Sequence, residues 1–258
     1  MYLIKLKFIT LKLCPLKTFV VAEIGSNWEG SLKKAEKLIK KCNKAGANAV
    51  KFQIWRAKDL YSTDHPHWNF IKKSEVTFSI ATKLKKIADK ESIEFFCSAF
   101  YPEAVNFLES IGVKRYKVAS RTCLFKDPYS EETLLSEAKT KKPIIISMGM
   151  GGNKNRIQRI FSKNKVTFCY CISEYPLSYE KINWATAVKY DGFSDHTLDI
   201  TASIVFTVLK RLQNKKKIIL EKHVKLKESK GPDASTSITT EQLSELVSNI
   251  RLIEKAKL

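Results

Sequence analysis

Two histidines close short apolar runs that read as strands. His196 ends Phe193-Ser194-Asp195-His196-Thr197, and His223 ends Leu220-Glu221-Lys222-His223. The chain has only 4 histidines, so two at equivalent places in consecutive strand–helix units form a pattern. Imidazole is the commonest metal ligand among side chains. If the two units are neighbours in a parallel barrel, both rings reach the same end of it, where a divalent metal could sit. Two ordinary loop histidines fit these segments equally well, so the rest of the chain must decide. The other pair, His65-Pro66-His67, lies in a polar loop with proline between the rings and reads as a solvated turn.

The elements that must position these residues follow one another in strict alternation. Continuous apolar runs, as expected of strands buried on both faces, cover Phe19–Ile24, Ala49–Trp55, Ile93–Phe100, Arg115–Ser120, Pro143–Gly149, Val166–Cys171, Gly192–Asp195 and Lys217–His223. Helical periodicity covers the stretch from Ser31 to near Gly46, then Phe78–Glu91, Glu103–Ile111, Glu131–Lys139, Lys154–Ser162, Tyr179–Lys189, Ile200–Asn214 and Thr240–Lys257. Eight such units in 258 residues predict an α/β fold, a (β/α)8 TIM barrel over residues 18–258. Residues 1–17 read as a short N-terminal β extension, a candidate hairpin capping one end. No linker or low-complexity break divides the chain.

Composition narrows the function classes. The formal net charge is +20, from 46 Lys+Arg against 26 Asp+Glu, and such a field favours anionic partners. The basic residues are nearly all lysine and lie mostly on polar helix faces such as Lys33, Lys34, Lys37, Lys40 and Lys41. No aromatic-interleaved arginine cluster is present, so an anionic small substrate is favoured over nucleic acid. The 6 cysteines form no disulfide or zinc spacing, and they read as buried thiols in a reducing compartment. Both sulfurs of Cys169-Tyr170-Cys171 point one way on a strand and are expected to pack. Lys5, Lys7 and Lys12 interrupt the apolar N-terminus, leaving no signal-peptide core, and no run reaches the roughly 20 apolar residues of a membrane span. A cytoplasmic protein is expected.

In such barrels the chemistry gathers at the C-terminal ends of the strands. Those ends carry Glu23, Lys51 and Gln53, Ser98, Lys117 and Ser120, Ser147, Ser173 and Tyr175, Ser194 and His196, and Glu221 and His223. Polar groups that recur at one end of apolar strands are not what packing alone produces. Two lysines with several serines make a receptor for phosphate and carboxylate. Two histidines with a nearby acid suit a catalytic metal with open positions.

These residues carry a resemblance. From about Phe19 onward the chain resembles the catalytic barrel of the sialic acid (N-acetylneuraminate) synthase family, which includes the legionaminate and pseudaminate synthases. The likeness rests on Ala22-Glu23-Ile24-Gly25-Ser26-Asn27, Val50-Lys51-Phe52-Gln53, Tyr116-Lys117-Val118-Ala119-Ser120 and Ile146-Ser147-Met148-Gly149-Met150. It continues through Ser173-Glu174-Tyr175-Pro176, Phe193-Ser194-Asp195-His196-Thr197-Leu198, Glu221-Lys222-His223 and Gly231-Pro232-Asp233. The resemblance implies condensation of phosphoenolpyruvate with the open-chain aldehyde of an N-acylated hexose, with release of phosphate and formation of a nonulosonic acid. It implies a divalent cation on His196 and His223, Mn²⁺ first and Mg²⁺ or Co²⁺ as alternatives. Lys51, Lys117, Ser120, Ser147 and Ser194 would hold phosphoenolpyruvate. Gln53, Tyr175, Asp233 and the residue at position 122 would face the sugar, and Glu23 would move a proton as water adds. A homodimer is also implied.

The chain departs from the family pattern mainly on the sugar side. Asn27-Trp28-Glu29-Gly30 stands where the family has Asn-His-x-Gly, and Ser98-Ala99-Phe100 where it has Ser-Thr-Pro-Phe. Thr122 replaces a sugar-binding acid, and Gly231-Pro232-Asp233-Ala234 replaces Gly-Pro-Asp-His. These changes point to a sugar other than N-acetylmannosamine, such as a diacetylated 6-deoxyhexose. The family's small antifreeze-like lid domain is not found after the eighth helix, and the expectation is that the lid lies on another polypeptide, that the site works open, or that this chain is a degenerate or truncated copy. Two rival readings remain: another phosphoenolpyruvate-dependent aldol-type synthase, and a non-catalytic basic barrel that binds anions, nucleic acid or a partner chain.

Overall fold

Val20, Val21 and Ala22 are excluded from solvent on both sides of the first strand, which is why that segment has no polar alternation. The computed structural model describes residues 15–256. Its parallel strands are β1 (Lys17–Glu23), β2 (Ala49–Ile54), β3 (Glu94–Ala99), β4 (Tyr116–Val118), β5 (Ile144–Ser147), β6 (Val166–Cys171), β7 (Gly192–Asp195) and β8 (Lys217–Lys225), with a two-residue β9 (Ile238–Thr239) beside the end of β8. The order around the sheet is β3-β2-β1-β8-β7-β6-β5-β4, so the first and last strands of the chain lie side by side and the predicted (β/α)8 barrel is formed. Parallel pairing of β1 with β8 runs from Lys17↔Lys217 to Glu23↔His223.

The helices are α1 (Leu32–Lys44), α2 (Ala57–Leu60), α3 (Trp68–Lys73), α4 (Phe78–Lys90), α5 (Pro102–Ser110), α6 (Ser130–Lys139), α7 (Lys154–Ile160), α8 (Trp184–Ala187), α9 (Thr201–Leu212) and α10 (Thr240–Lys255). They pack by one face. In α1 the buried residues are Ala35, Leu38, Ile39 and Cys42, and the Ser31 side chain caps its start by accepting from Lys34 N. A reciprocal capping box of Thr239 and Gln242 starts α10. No helix among the described residues is long and apolar enough to cross a membrane.

Several boundaries move. The first strand begins at Lys17, so this residue belongs to the barrel and not to an extension; the hairpin expected over residues 1–17 otherwise falls almost wholly outside the described residues. The single helix expected over Tyr179–Lys189 is instead a 3₁₀ turn, Tyr179–Lys181, followed by the short α8. The break has a local cause: Asn183 is extended and its side chain accepts from Thr186 N, capping a new helix. The fourth strand is cut to three residues because Thr122 N turns back to Ala119 O at 3.1 Å. His65 and His67 lie in the loop before α3, and His67 is exposed, in keeping with a solvated turn.

One buried group is unusual. Glu137 of α6 is fully buried, and neither carboxylate oxygen has a hydrogen-bond partner. Burial raises its pKa well above the ordinary carboxylate value, only partly opposed by Lys117. A raised folded-state pKa means that its contribution to stability is full below the unfolded pKa and is lost as pH rises through the folded one. Glu137→Gln removes this term. The melting temperature of the variant relative to the parent is therefore expected to climb between pH 5 and pH 9, read by thermal denaturation; a constant difference would contradict the assignment.

Candidate active site

Side chains alternate along a strand, so Lys51 and Gln53 of β2, Lys117 of β4, Ser147 of β5, Ser194 of β7 and Glu221 and His223 of β8 all project into the barrel. Lys51 and Lys117 are each only 3% exposed; neither reaches out to solvent. The Lys51 ammonium lies 2.7 Å from Glu23 Oε2, 3.7 Å from Glu221 Oε2 and 3.3 Å from Ser98 Oγ. The Lys117 ammonium donates to Ser147 Oγ at 2.9 Å and lies 3.4 Å from Glu221 Oε1. Ser194 donates to the same Glu221 oxygen at 2.8 Å. One carboxylate from β8 thus spans two ammoniums from β2 and β4. Burial works to raise the Glu221 pKa, but Lys117, Lys51 and the Ser194 hydroxyl outweigh it and hold the group ionised, at about 2. For Lys51, burial works downward and the two glutamates raise it, with a net rise.

Above this layer stand Glu23, Gln53 and the two histidines. Gln53 Nε2 donates to Glu23 Oε1 at 2.6 Å. The His196 and His223 ring centroids are 5.5 Å apart, on neighbouring strands as the spacing requires. His196 Nδ1 lies 2.8 Å from the Ile172 carbonyl; a carbonyl only accepts, so Nδ1 carries the proton and Nε2 keeps its lone pair. Burial first, then the His223 ring, push the His196 pKa down to about 4, so the ring is neutral near pH 7. His223 Nδ1 is buried with no partner. Among the described residues no three or more of His, Cys, Asp and Glu are grouped to hold a metal. Two neighbouring imidazoles, His196 kept neutral and His223 with an orphaned ring nitrogen, are the side chains here that could hold a divalent cation.

The residues that alternate with these point outward and aim them. Asp195 and Lys222, with fully buried side chains, are paired at 3.0 Å. Asp195 Oδ1 accepts from Thr197 N and Oγ1, and Oδ2 from Ser203 Oγ of α9. Lys222 also donates to the Thr197 carbonyl at 2.6 Å. Sequence reading assigned neither residue a role, although charged residues on the outward face of a strand covered by helices must be paired. In the sequence Glu221 shows only as a strand-end residue, and its two-residue offset from His223 is the signal that puts it on the inward face.

The remaining predicted site residues fall into two sets. Ser120 accepts from Gly149 N at 3.0 Å and lies 3.7 Å from Cys171 Sγ, in the wall beside Lys117. A Cβ at Gly149 would sit 2.8 Å from both Cys171 Sγ and Ser173 Oγ, so only glycine allows this approach. On the outer side, the Tyr175 ring is 53% exposed and lies 4.3 Å from the His196 ring. Asp233 is already engaged: its Oδ2 accepts from Ser26 N and Oγ, both at 2.7 Å. Thr122 is buried and its hydroxyl has no partner. Of the departing residues, Trp28, Ala99 and Ala234 are all buried.

The NeuB family model matches residues 38–257. The chain belongs to the NeuB family. Among its relatives, the N,N'-diacetyllegionaminic acid synthase of Campylobacter jejuni is 31% identical, over 93% of this chain and 77% of that protein. The human N-acetylneuraminate-9-phosphate synthase is 30% identical, over 95% and 75%. Among solved structures, the N-acetylneuraminic acid synthetase of Leptospira borgpetersenii in complex with citrate superposes with a TM-score of 0.81 at 26% identity, covering 92% of this chain and 84% of that one. Most of the motifs that suggested the family lie in this NeuB barrel's C-terminal mouth.

The Asp195–Lys222 pair makes the aim of both NeuB histidines testable. Lys222→Met leaves a buried carboxylate without its cation and is expected to cost about 3–5 kcal/mol, read as a lower urea midpoint with unchanged slope. A cost below about 1 kcal/mol would show that the pair does not hold the two strand ends.

Proposed function

We propose that this NeuB-family protein condenses phosphoenolpyruvate with the aldehyde of an N-acylated hexose, forming a nonulosonic acid and releasing phosphate. The single observation that carries the reading is the buried Lys51–Glu221–Lys117 bridge, set among serine hydroxyls beside the two histidine rings. Phosphoenolpyruvate presents a phosphate and a carboxylate, and Lys51 and Lys117 with Ser120, Ser147 and Ser194 supply charge-assisted and neutral donors for both. Glu221 stays ionised and keeps the two ammoniums apart and oriented, so the site is organised before the anion arrives.

A divalent cation held by His196 and His223 would act as a Lewis acid toward the sugar aldehyde; Mn²⁺ is the first candidate, with Mg²⁺ and Co²⁺ as alternatives. Carbon–carbon bond formation joins C3 of phosphoenolpyruvate to the aldehyde carbon and leaves C2 electron-deficient. The aldehyde C=O electron pair moves onto its oxygen, which becomes a hydroxyl on taking up the proton released by the added water. Water adds there, and Glu23 takes its proton; Glu23 is buried and held by Gln53 and Lys51. The resulting tetrahedral carbon expels phosphate, restoring a 2-keto acid. Lys51 and Lys117 stabilise charge on the departing phosphate.

Gln53, Tyr175 and Asp233 face the sugar in this reading, with Thr122 in place of a longer acid. The phosphoenolpyruvate side keeps its charged groups while Trp28, Thr122 and Ala234 alter the sugar side, which favours a diacetylated 6-deoxyhexose over N-acetylmannosamine. The test is phosphate release from phosphoenolpyruvate with Mn²⁺ and a panel of N-acyl hexoses. Release is expected with at least one sugar, fastest with a diacetylated hexose. Lys117→Gln is expected to lower kcat/KM by roughly 100-fold, the loss of one or two charge-assisted bonds. Equal turnover of N-acetylmannosamine would remove the sugar assignment; no release with any sugar would remove the reaction.

A further inference from the structure

Two side chains at the catalytic mouth take no part in the steps above. Tyr61 comes from the loop between α2 and α3, and Arg121 follows Ser120 at the end of β4. Arg121 joins these two regions: its Nη2 lies 3.4 Å from the Leu60 carbonyl, and its guanidinium carbon lies 5.4 Å from the Tyr61 ring centroid. Asp127 fixes it there, accepting from Nε and Nη2 at 2.7 Å each. Those bonds occupy Nε and Nη2. They leave two of the five guanidinium hydrogens, those on Nη1, for other acceptors.

Asp233 shows where this pair stands. A Cβ on Gly25 would lie 2.5 Å from Asp233 Oδ2 and 3.3 Å from Glu23 Oε1, the oxygen that Gln53 holds. The Asp233 carboxylate is therefore beside the proposed base, and two phenols feel its charge. Burial raises the Tyr61 pKa, Arg121 opposes the rise, and Asp233 adds to it. Burial likewise raises Tyr175, which lies against the His196 ring, with Cys171 and Asp233 adding. Tyr61, Asp233 and Tyr175 thus come from three loops to one rim, with Arg121 beside the first of them.

The electrostatics of this rim differ from those of the pit that holds Lys51 and Lys117. Arg121 is matched by a bidentate carboxylate, and Asp233 adds a negative charge, so Arg121, Asp127 and Asp233 together are negative. A phosphate placed here would be repelled. A neutral carbonyl oxygen could accept from the guanidinium and the phenol without that cost. Apolar surface adjoins the same donors: the Trp55 and Tyr61 rings meet edge-on at 6.3 Å, in a cluster with Ile71 and Phe100. Donors for a carbonyl next to an apolar wall suit an acylamido group, which is polar at one end and apolar at the other.

We propose that Tyr61 and Arg121 are specificity-determining residues that read an uncharged acylamido arm of the acceptor sugar. The Tyr61 hydroxyl and Arg121 Nη1 donate to its carbonyl oxygen, and the Trp55–Tyr61 surface takes its acyl carbon. The inference rests on the reaction proposed above in naming the ligand a hexose, and adds that the sugar enters unphosphorylated.

Calorimetric titration of the full chain, with phosphoenolpyruvate present and divalent cations chelated to prevent turnover, tests this directly. N-acetylmannosamine and a diacetylated 6-deoxyhexose are titrated beside mannose and N-acetylmannosamine 6-phosphate. At least one acylated hexose is expected to bind about tenfold more tightly than mannose, and N-acetylmannosamine more tightly than its 6-phosphate. Tyr61→Phe keeps the ring, and Arg121→Lys keeps the charge that faces Asp127. Each is expected to weaken binding of the acylated hexose by roughly fivefold, the loss of one hydrogen bond, while phosphoenolpyruvate affinity stays at the parent's value. Binding equal in the parent and both variants, no preference over mannose, or no binding of any hexose would overturn the subsite. A matching loss of phosphoenolpyruvate affinity would make both residues structural and overturn it too; tighter binding of the 6-phosphate would overturn the uncharged arm. Phosphate release with Mn²⁺ scores the reaction separately: no release, with sugar binding still sensitive to both variants, removes the reaction and supports the subsite.

Discussion

Two ammonium groups buried in one barrel can coexist only if something anionic stands between them, and here that is Glu221. The cost of desolvating Lys51 and Lys117 is offset by this shared carboxylate, by Glu23, and by the Ser98 and Ser147 hydroxyls. The bridge ties β8 to β2 on one side and to β4 on the other. It therefore reaches across the interior where the sheet order places β3 and β4 at its two ends. The same bridge fixes both ammoniums in place, so the fold and not a ligand orients the lysines.

A second buried pair works on the outside of the same strands. Asp195 and Lys222 alternate with His196 and His223, so the charges that face the helices hold the backbone whose next residues face the site. Thr236 Oγ1 and Leu177 N both donate to the His196 carbonyl, adding restraint from two loops. The histidines owe their geometry to these neighbours as much as to their own positions. An imidazole with its proton held by Ile172 O and a neighbouring one with an orphaned nitrogen form a donor pair, not a closed metal site.

Much of this was legible in the sequence because it depends on alternation. Eight apolar runs separated by helical periodicity define the barrel, and polar residues at the run ends mark its working face. The adjacency of His196 and His223 follows from their being in consecutive units. What stayed hidden depends on distance through space. Nothing local in Leu220-Glu221-Lys222-His223 says that Glu221 meets lysines from two other strands, or that Lys222 meets Asp195. The break between Tyr179 and Ala187 was missed because the capping bond of Asn183 competed with an otherwise helical pattern. Where the chain departs from the family pattern, the letters showed which residues differ but not that Trp28, Thr122 and Ala234 are buried.

The account rests on the claim that the paired lysines receive phosphoenolpyruvate next to the two histidines. A crystal structure with phosphoenolpyruvate and Mn²⁺ soaked in tests it most directly. The account predicts the phosphate and carboxylate within hydrogen-bond distance of Lys51 and Lys117, and one ion shared by His196 and His223. Phosphoenolpyruvate bound elsewhere, or an ion that engages neither imidazole, would contradict it.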